Sequence, residues 1–386
     1  MSWDYAQDWA ELLLRWLHVI AGIVWIGTSF YFVALDNHLR PPGDRRRRDE
    51  GVAGDTWEIH GGGFYRIEKY RVAPPTLPEP LHWFKWEAYW TWISGFALLV
   101  VLYWLDADVY LVDPAVRDLS QGEAIALSAG VLLAGWIVYD GLCRLLGRRE
   151  LLLAAGVAGL AVAASWATSE VFGGRAAYLH VGAMLGTIMV ANVFFVIIPA
   201  HWELVRAKQA GREPDAAPAL EAKRRSVHNN YLTLPVVFAM LSNHLSWTYG
   251  HERGWLVLVA LMALGAWTRH YFNLRHQGRT VWAIPLTAAV AVVALAVAIE
   301  PDDEPLPTVA SAGIADVQRI VDARCVSCHS GASAPGGVRL ESAPEIEARA
   351  ERIEELVVDS RAMPPGNVTG MTVEERATVA AWLRSR

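Results

Sequence analysis

The most specific chemistry in the chain sits near its C-terminus, in Cys325-Val326-Ser327-Cys328-His329. Two thiols three positions apart can form thioethers with the two vinyl groups of one haem, and the adjoining imidazole then reaches the iron from one side. A zinc ribbon would need a second cysteine pair. The chain has three cysteines in all, and the third, Cys143, stands alone far away. The pattern therefore predicts a covalently held haem c. The expected sixth ligand is Met363, within Arg361-Ala362-Met363-Pro364-Pro365, with Met371 as the competing thioether. His329 and Met363 are thus the expected iron ligands. Thioether ligation in a largely apolar pocket raises the potential, which suits an electron acceptor.

A second group of residues is singled out by depth. His18, His180 and His244 fall at corresponding ends of long apolar stretches. Two imidazoles from facing helices can hold a b-type haem or line a substrate site, and the alternative is that each is an interior histidine bonded to a backbone carbonyl. Polar residues gather at the opposite level, among them His82, Lys85, Glu87, Asn230, Arg269 and Asn273. Glu87 and Asn192 stand out there, because each lies within or at the edge of an apolar run where a polar group is expensive.

The elements that must position these groups are apolar helices. The chain is 53% hydrophobic and only 19% charged, a composition that points to the lipid bilayer. A net charge of −6, with arginines in short clusters, argues against nucleic acid as a partner. Eight apolar runs are read at about 12–35, 88–105, 122–140, 151–168, 177–199, 231–248, 254–272 and 281–299. Asp4, Asp8 and Glu11 precede the first, so no cleavable signal peptide is expected. Lys and Arg concentrate after runs one, three, five and seven, including Arg45 to Arg48 and Lys223-Arg224-Arg225, whereas Arg117, Arg175 and Arg253 stand alone after runs two, four and six. Cytoplasmic loops carry the excess of positive charge, so both chain ends are expected on the periplasmic side of an inner membrane. Leu17-His18-Val19 and Leu179-His180-Val181 open runs one and five alike, as a four-plus-four repeat would.

The expected fold is mainly α: an eight-helix transmembrane bundle over 1–299, a linker at 300–307, and a small all-α module of class I cytochrome c type over 308–386, with helices at 313–324 and 372–384. The linker, Glu300-Pro-Asp-Asp-Glu-Pro-Leu-Pro307, is acidic and proline-rich. An insert at 51–80 on the cytoplasmic side alternates about Gly61-Gly62-Gly63 and predicts a β-hairpin.

Several blocks carry a resemblance. They are Leu17 to Gly27, His60-Gly-Gly-Gly-Phe-Tyr-Arg-Ile-Glu-Lys-Tyr70, His82-Trp-Phe-Lys-Trp-Glu-Ala-Tyr-Trp-Thr-Trp-Ile-Ser-Gly95, Leu185 to Phe194, and His228 to Phe238 with Ser242-Asn-His244. Together they resemble the membrane-bound urate hydroxylase (urate oxidase) family in which an eight-helix domain is fused to a cytochrome c. That resemblance implies oxidation of urate to 5-hydroxyisourate in purine breakdown, with electrons passing to the fused haem and on to a cytochrome oxidase or soluble cytochrome. A planar anion calls for cationic donors beside aromatic faces, so Arg269 and His82, with Glu87 as general base, are the expected catalytic residues. The competing reading is a non-catalytic, haem-bearing conduit that relays electrons from quinol or a dehydrogenase to a terminal oxidase.

Overall fold

The computed structural model describes residues 3–147, 149–300, 305–331, 334, 337–364, 367 and 369–386, so the middle of the expected linker at 300–307 and Pro365 lie outside the described residues. The fold is mainly helical. Among the described residues, five segments are long and apolar enough to cross a membrane by length and composition: Tyr5–His38, Gln121–Leu146, Glu150–Ser169, Gly174–Gln209 and Gly254–His276.

Helix α1 (Trp3–His38) lies antiparallel to α2 (Trp86–Leu99), which runs on through a π turn at Val100–Trp104. The two approach closely where the imidazole of His18 covers Gly95, at which an added Cβ would lie 2.7 Å from His18 Cε1. Helices α3 (Gln121–Leu146) and α4 (Glu150–Ser169) pack on α5 (Gly174–Asn192), the most buried helix of the bundle. A second π turn, Val193–Ile197, joins α5 to α6 (Ile198–Gln209). Helix α7 (Ala216–Leu241) crosses α5 where Gly182 meets Ala239, leaving no room for a side chain at Gly182. Helices α8 (Gly254–His276) and α9 (Ala283–Ala298) complete this part. At 16 residues α9 spans ~24 Å, short of a ~30 Å hydrocarbon core.

The sixth apolar run is displaced from its expected place. The helix covers Ala216–Leu241 rather than 231–248, and at Leu241 it gives way to a 3-10 turn, Ser242–His244. It starts early because the Asp215 carboxylate accepts the Ala217 N–H at 2.9 Å, capping the first turn. Lys223-Arg224-Arg225 are therefore helical residues and not part of a loop.

The expected hairpin is present. Strands β1 (Val52–His60) and β2 (Gly63–Tyr70) pair antiparallel about Gly61 and Gly62, both at positive φ, as a two-residue turn of this hand requires. It is tied to α1: Lys69 bridges to Asp36 at 2.6 Å, the Tyr31 hydroxyl donates to Glu58 at 2.7 Å, and the backbones of Arg40 and Asp55 exchange two hydrogen bonds.

Residues 312–382 supply a hydrophobic core of their own, built from α10 (Ile314–Arg324), two short helical segments at Ala343–Glu347 and Ala350–Ile353, and α11 (Val373–Arg384). Val317, Val321, Ile346, Ile353, Val379 and Trp382 fill it. Thr372 and Glu375 form a capping box at the start of α11, and the same Glu375 carboxylate meets Arg324 at 3.1 Å, fastening α10 to α11.

Candidate functional site

Three sites follow from the residues singled out above. In the first, α10 ends at Arg324 and the chain turns tightly, with Cys325 C=O accepting the N–H of both Cys328 (3.1 Å) and His329 (2.8 Å). Both thiols are free, and burial pushes that of Cys325 up to about 11. Nδ1 of His329 is bonded to the Val338 carbonyl at 2.9 Å, which fixes the ring and leaves Nε2 to bind iron. Cys325, Val326 and Met363 pack against one apolar cluster, and the backbone of Met363 is held by the buried Arg376, which donates to Met363 O at 2.8 Å and to Val357 O at 2.6 Å. Met371 is buried in that cluster too. These donors fit a haem with a thiol pair, an oriented imidazole and an apolar surround.

The second site lies in the helices around α8. Arg269 is only 4% exposed, and its guanidinium carbon stands 3.7 Å from the centre of the Phe30 ring on α1. Nε donates to Asn230 Oδ1 at 2.5 Å, and Asn230 Nδ2 donates in turn to Asn273 at 2.9 Å. Nη2 is buried and has no hydrogen-bond partner, nor does Arg269 meet any carboxylate among the described residues. Glu87, in the first turn of α2, likewise has Oε2 buried without a partner. In the chain it falls between Phe84, which meets Phe32, and Thr91, which faces Gly22, so it lies alongside the stretch of α1 from Gly22 to Phe32 that includes Phe30. His82 is exposed at the rim, its ring against Phe84 at 4.7 Å.

A separate inner network surrounds Arg225 on α7. It bonds to Asp140 at 2.7 Å, Glu221 at 2.9 Å and Asn192 at 3.0 Å, and it covers the Tyr139 ring at 5.2 Å. The Tyr139 hydroxyl is bonded to His228 Nδ1 at 2.7 Å and accepts from Asn192 at 3.0 Å. Asn192 was legible as costly within its apolar run. Phe30, Tyr139 and Arg225 were not: two read as ordinary apolar positions and the third as loop charge. The i,i+4 spacing of Glu221 and Arg225 was the available signal.

The third group is dispersed. His18 Nδ1 is bonded to Thr91 O at 2.9 Å, and His180 Nδ1 to Ala176 O at 2.7 Å. Both rings thus have Nδ1 engaged by a backbone carbonyl, as His329 does. In His180, Nε2 is bonded to Ser128 Oγ at 2.6 Å, and the ring lies between Phe172 and Tyr103. His244 sits in the turn after α7. No contact joins these three histidines among the described residues. Nor do any three or more His, Cys, Asp or Glu gather there in a way that could hold a metal ion.

A family model described as urate oxidase N-terminal matches residues 4–300. The chain belongs to that family. No curated protein and no solved structure matches it. The urate oxidase N-terminal match takes in α1 to α9 and the hairpin, hence both buried arginine sites, and ends before Cys325.

Proposed function

We propose that this chain is a membrane oxidoreductase that converts urate to 5-hydroxyisourate beside Arg269 and delivers the electrons to a haem held by Cys325, Cys328 and His329, with Met363 as sixth ligand. The observation that carries the reading is the buried Arg269 guanidinium, which offers an unpartnered Nη2 inside the region matched to a urate oxidase family. An uncompensated cation in such surroundings is costly, and an anionic substrate supplies its missing partner. Phe30 covers one face of the guanidinium and Asn230 fixes its Nε, so its free edge is presented in one orientation.

Urate and water give 5-hydroxyisourate, two electrons and two protons. Glu87, with a free carboxylate oxygen at that level, is placed to take a proton from the attacking water, and the exposed His82 stands at the mouth through which protons leave. A haem on Cys325 and Cys328 supplies a one-electron acceptor. Eight helices with both ends periplasmic put Arg269 near the cytoplasmic surface and the haem beyond the opposite one, ~30 Å away.

The test is reduction of the c haem by urate in purified protein, followed by its visible spectrum. Arg269→Gln is expected to abolish urate-driven reduction while dithionite still reduces the haem. Undiminished reduction by urate in that variant removes Arg269 from the site, and a wild-type haem that urate fails to reduce sinks the whole reading.

A further inference from the structure

Arg269 sets the polarity of the amide chain that runs from it through Asn230 to Asn273. A guanidinium has N–H donors and no acceptor, so the Asn230 atom that meets Arg269 Nε at 2.5 Å must be the amide oxygen. The Asn230 nitrogen then donates at 2.9 Å to Asn273, whose receiving atom must likewise be oxygen. What remains of Asn273 is its NH2 group, which bonds to nothing among the described residues. All three side chains are more than nine-tenths buried, at 4%, 5% and 9% exposure for Arg269, Asn230 and Asn273. Arg269 and Asn273 stand four residues apart on α8, so they share a face one turn apart, and both converge on the single Asn230 amide of α7. The unpartnered Nη2 of Arg269 completes this edge, which therefore consists of donors only.

We infer that Asn230 and Asn273 make the Arg269 site specific for a ligand edge built only of acceptors, an oxo group next to an anionic ring nitrogen, and that Asn273 Nδ2 donates to that edge. The inference rests on the proposed urate reading for the identity of the ligand. At neutral pH urate is a monoanion that has lost the proton from N3, and O2 with N3 is then its one pair of neighbouring acceptors. Each of its other oxygens has only N–H groups among the neighbouring ring nitrogens. A purine edge carrying an amino group or a ring N–H sets donor against donor and leaves the buried guanidinium without its anion. The C5 atom that takes the hydroxyl lies across the six-membered ring from C2, so this grip holds the anion and leaves the reacting carbon free. Asn273 thus touches the substrate and sets specificity, while Asn230 is a positioning residue that acts through Arg269 and Asn273.

Two measurements on the full haem-loaded chain in detergent test this without turnover. The first is calorimetric titration of dithionite-reduced protein, which cannot take electrons from the ligand. Wild type is expected to bind 7-methylurate, which keeps O2 and N3, about tenfold or more tightly than 3-methylurate, which is blocked at N3. Asn273→Leu, close to Asn in volume, is expected to weaken 7-methylurate by about tenfold and leave 3-methylurate unchanged, so that the two bind alike. Equal affinities in wild type, or the same loss for both ligands in Asn273→Leu, overturns the assignment. The second measurement reads polarity with no ligand present. Asn230→Asp gives Arg269 the counter-ion it lacks and turns the Asn273 amide around, so the unfolding midpoint is expected to rise while urate binding is lost. A midpoint that fails to rise overturns the donor polarity. Wild-type protein that binds neither urate nor 7-methylurate, in which Asn230→Asp still raises the midpoint, refutes the urate reading and supports a donor-only edge for another anion.

Discussion

Arg225 and Arg269 are buried to nearly the same degree, at 3% and 4% exposure, yet their surroundings differ in kind. Arg225 has two carboxylates, an amide oxygen and an aromatic face, so its charge is neutralised within the protein. Arg269 has an amide oxygen and an aromatic face but no carboxylate, and one nitrogen is left over. A buried charge that is fully paired ties helices together, while one left short of a partner has its remaining capacity available to something that comes and goes. The difference between the two arginines is thus read from what each lacks.

The contrast breaks most sharply by removing the paired arginine. Arg225→Met leaves Asn192 Oδ1 without its partner and Asp140 with Arg144 alone, and is expected to cost about 3–5 kcal/mol, a loss typical of a broken buried pair, visible as a lowered unfolding midpoint in detergent. A midpoint equal to wild type would mean the network holds nothing together. Arg269→Gln is expected to leave that midpoint within about 1 kcal/mol of wild type while lowering kcat/KM for urate by about 2–5 kcal/mol, with Arg269→Lys recovering only part of the loss. Equal damage to stability in the Arg225 and Arg269 variants would erase the distinction.

Arg376 sharpens the comparison from the C-terminal module, where a third buried arginine is satisfied by two backbone carbonyls and the Asn367 amide oxygen, with no carboxylate bonded to it among the described residues. Arg376→Met is expected to cost about 1–3 kcal/mol in stability and, by freeing the Met363 backbone, to lower the haem potential. A potentiometric titration that matches wild type would uncouple Arg376 from the haem. The smallest expected effect is at Phe30→Leu, which removes the ring under Arg269 and should raise KM by an amount worth about 0.5–2 kcal/mol without changing the haem spectrum. An unchanged KM would leave Phe30 as packing.

Much of the architecture was legible because local signals agreed with the fold. The Gly61-Gly62 turn with alternating flanks gave the hairpin, and periodicity gave helices close to Ile314–Arg324 and Val373–Arg384. The start of α7 was hidden, since a hydropathy pattern discounts Lys223, Arg224 and Arg225, whose charges are met by partners distant in sequence such as Asp140. Arg269 was visible as a charge within an apolar run; the missing counter-ion that makes it interesting was not. The depth assigned to His18, His180 and His244 from hydropathy is silent on azimuth, so the different neighbours that bond His18 and His180 could not be read from spacing.

The bonds between the hairpin and α1 also bear on how the chain is made. A two-stranded hairpin forms in ~1–10 μs, whereas synthesis adds about 5–20 residues per second. Residues 52–70 therefore close while the segment that becomes α2 is still being polymerised. Isolated, such a pair of strands is marginal. Held by Asp36, Tyr31 and Arg40, it becomes a folded unit on the end of the first helix. The hairpin is thus complete before the arginine of either buried site has been translated.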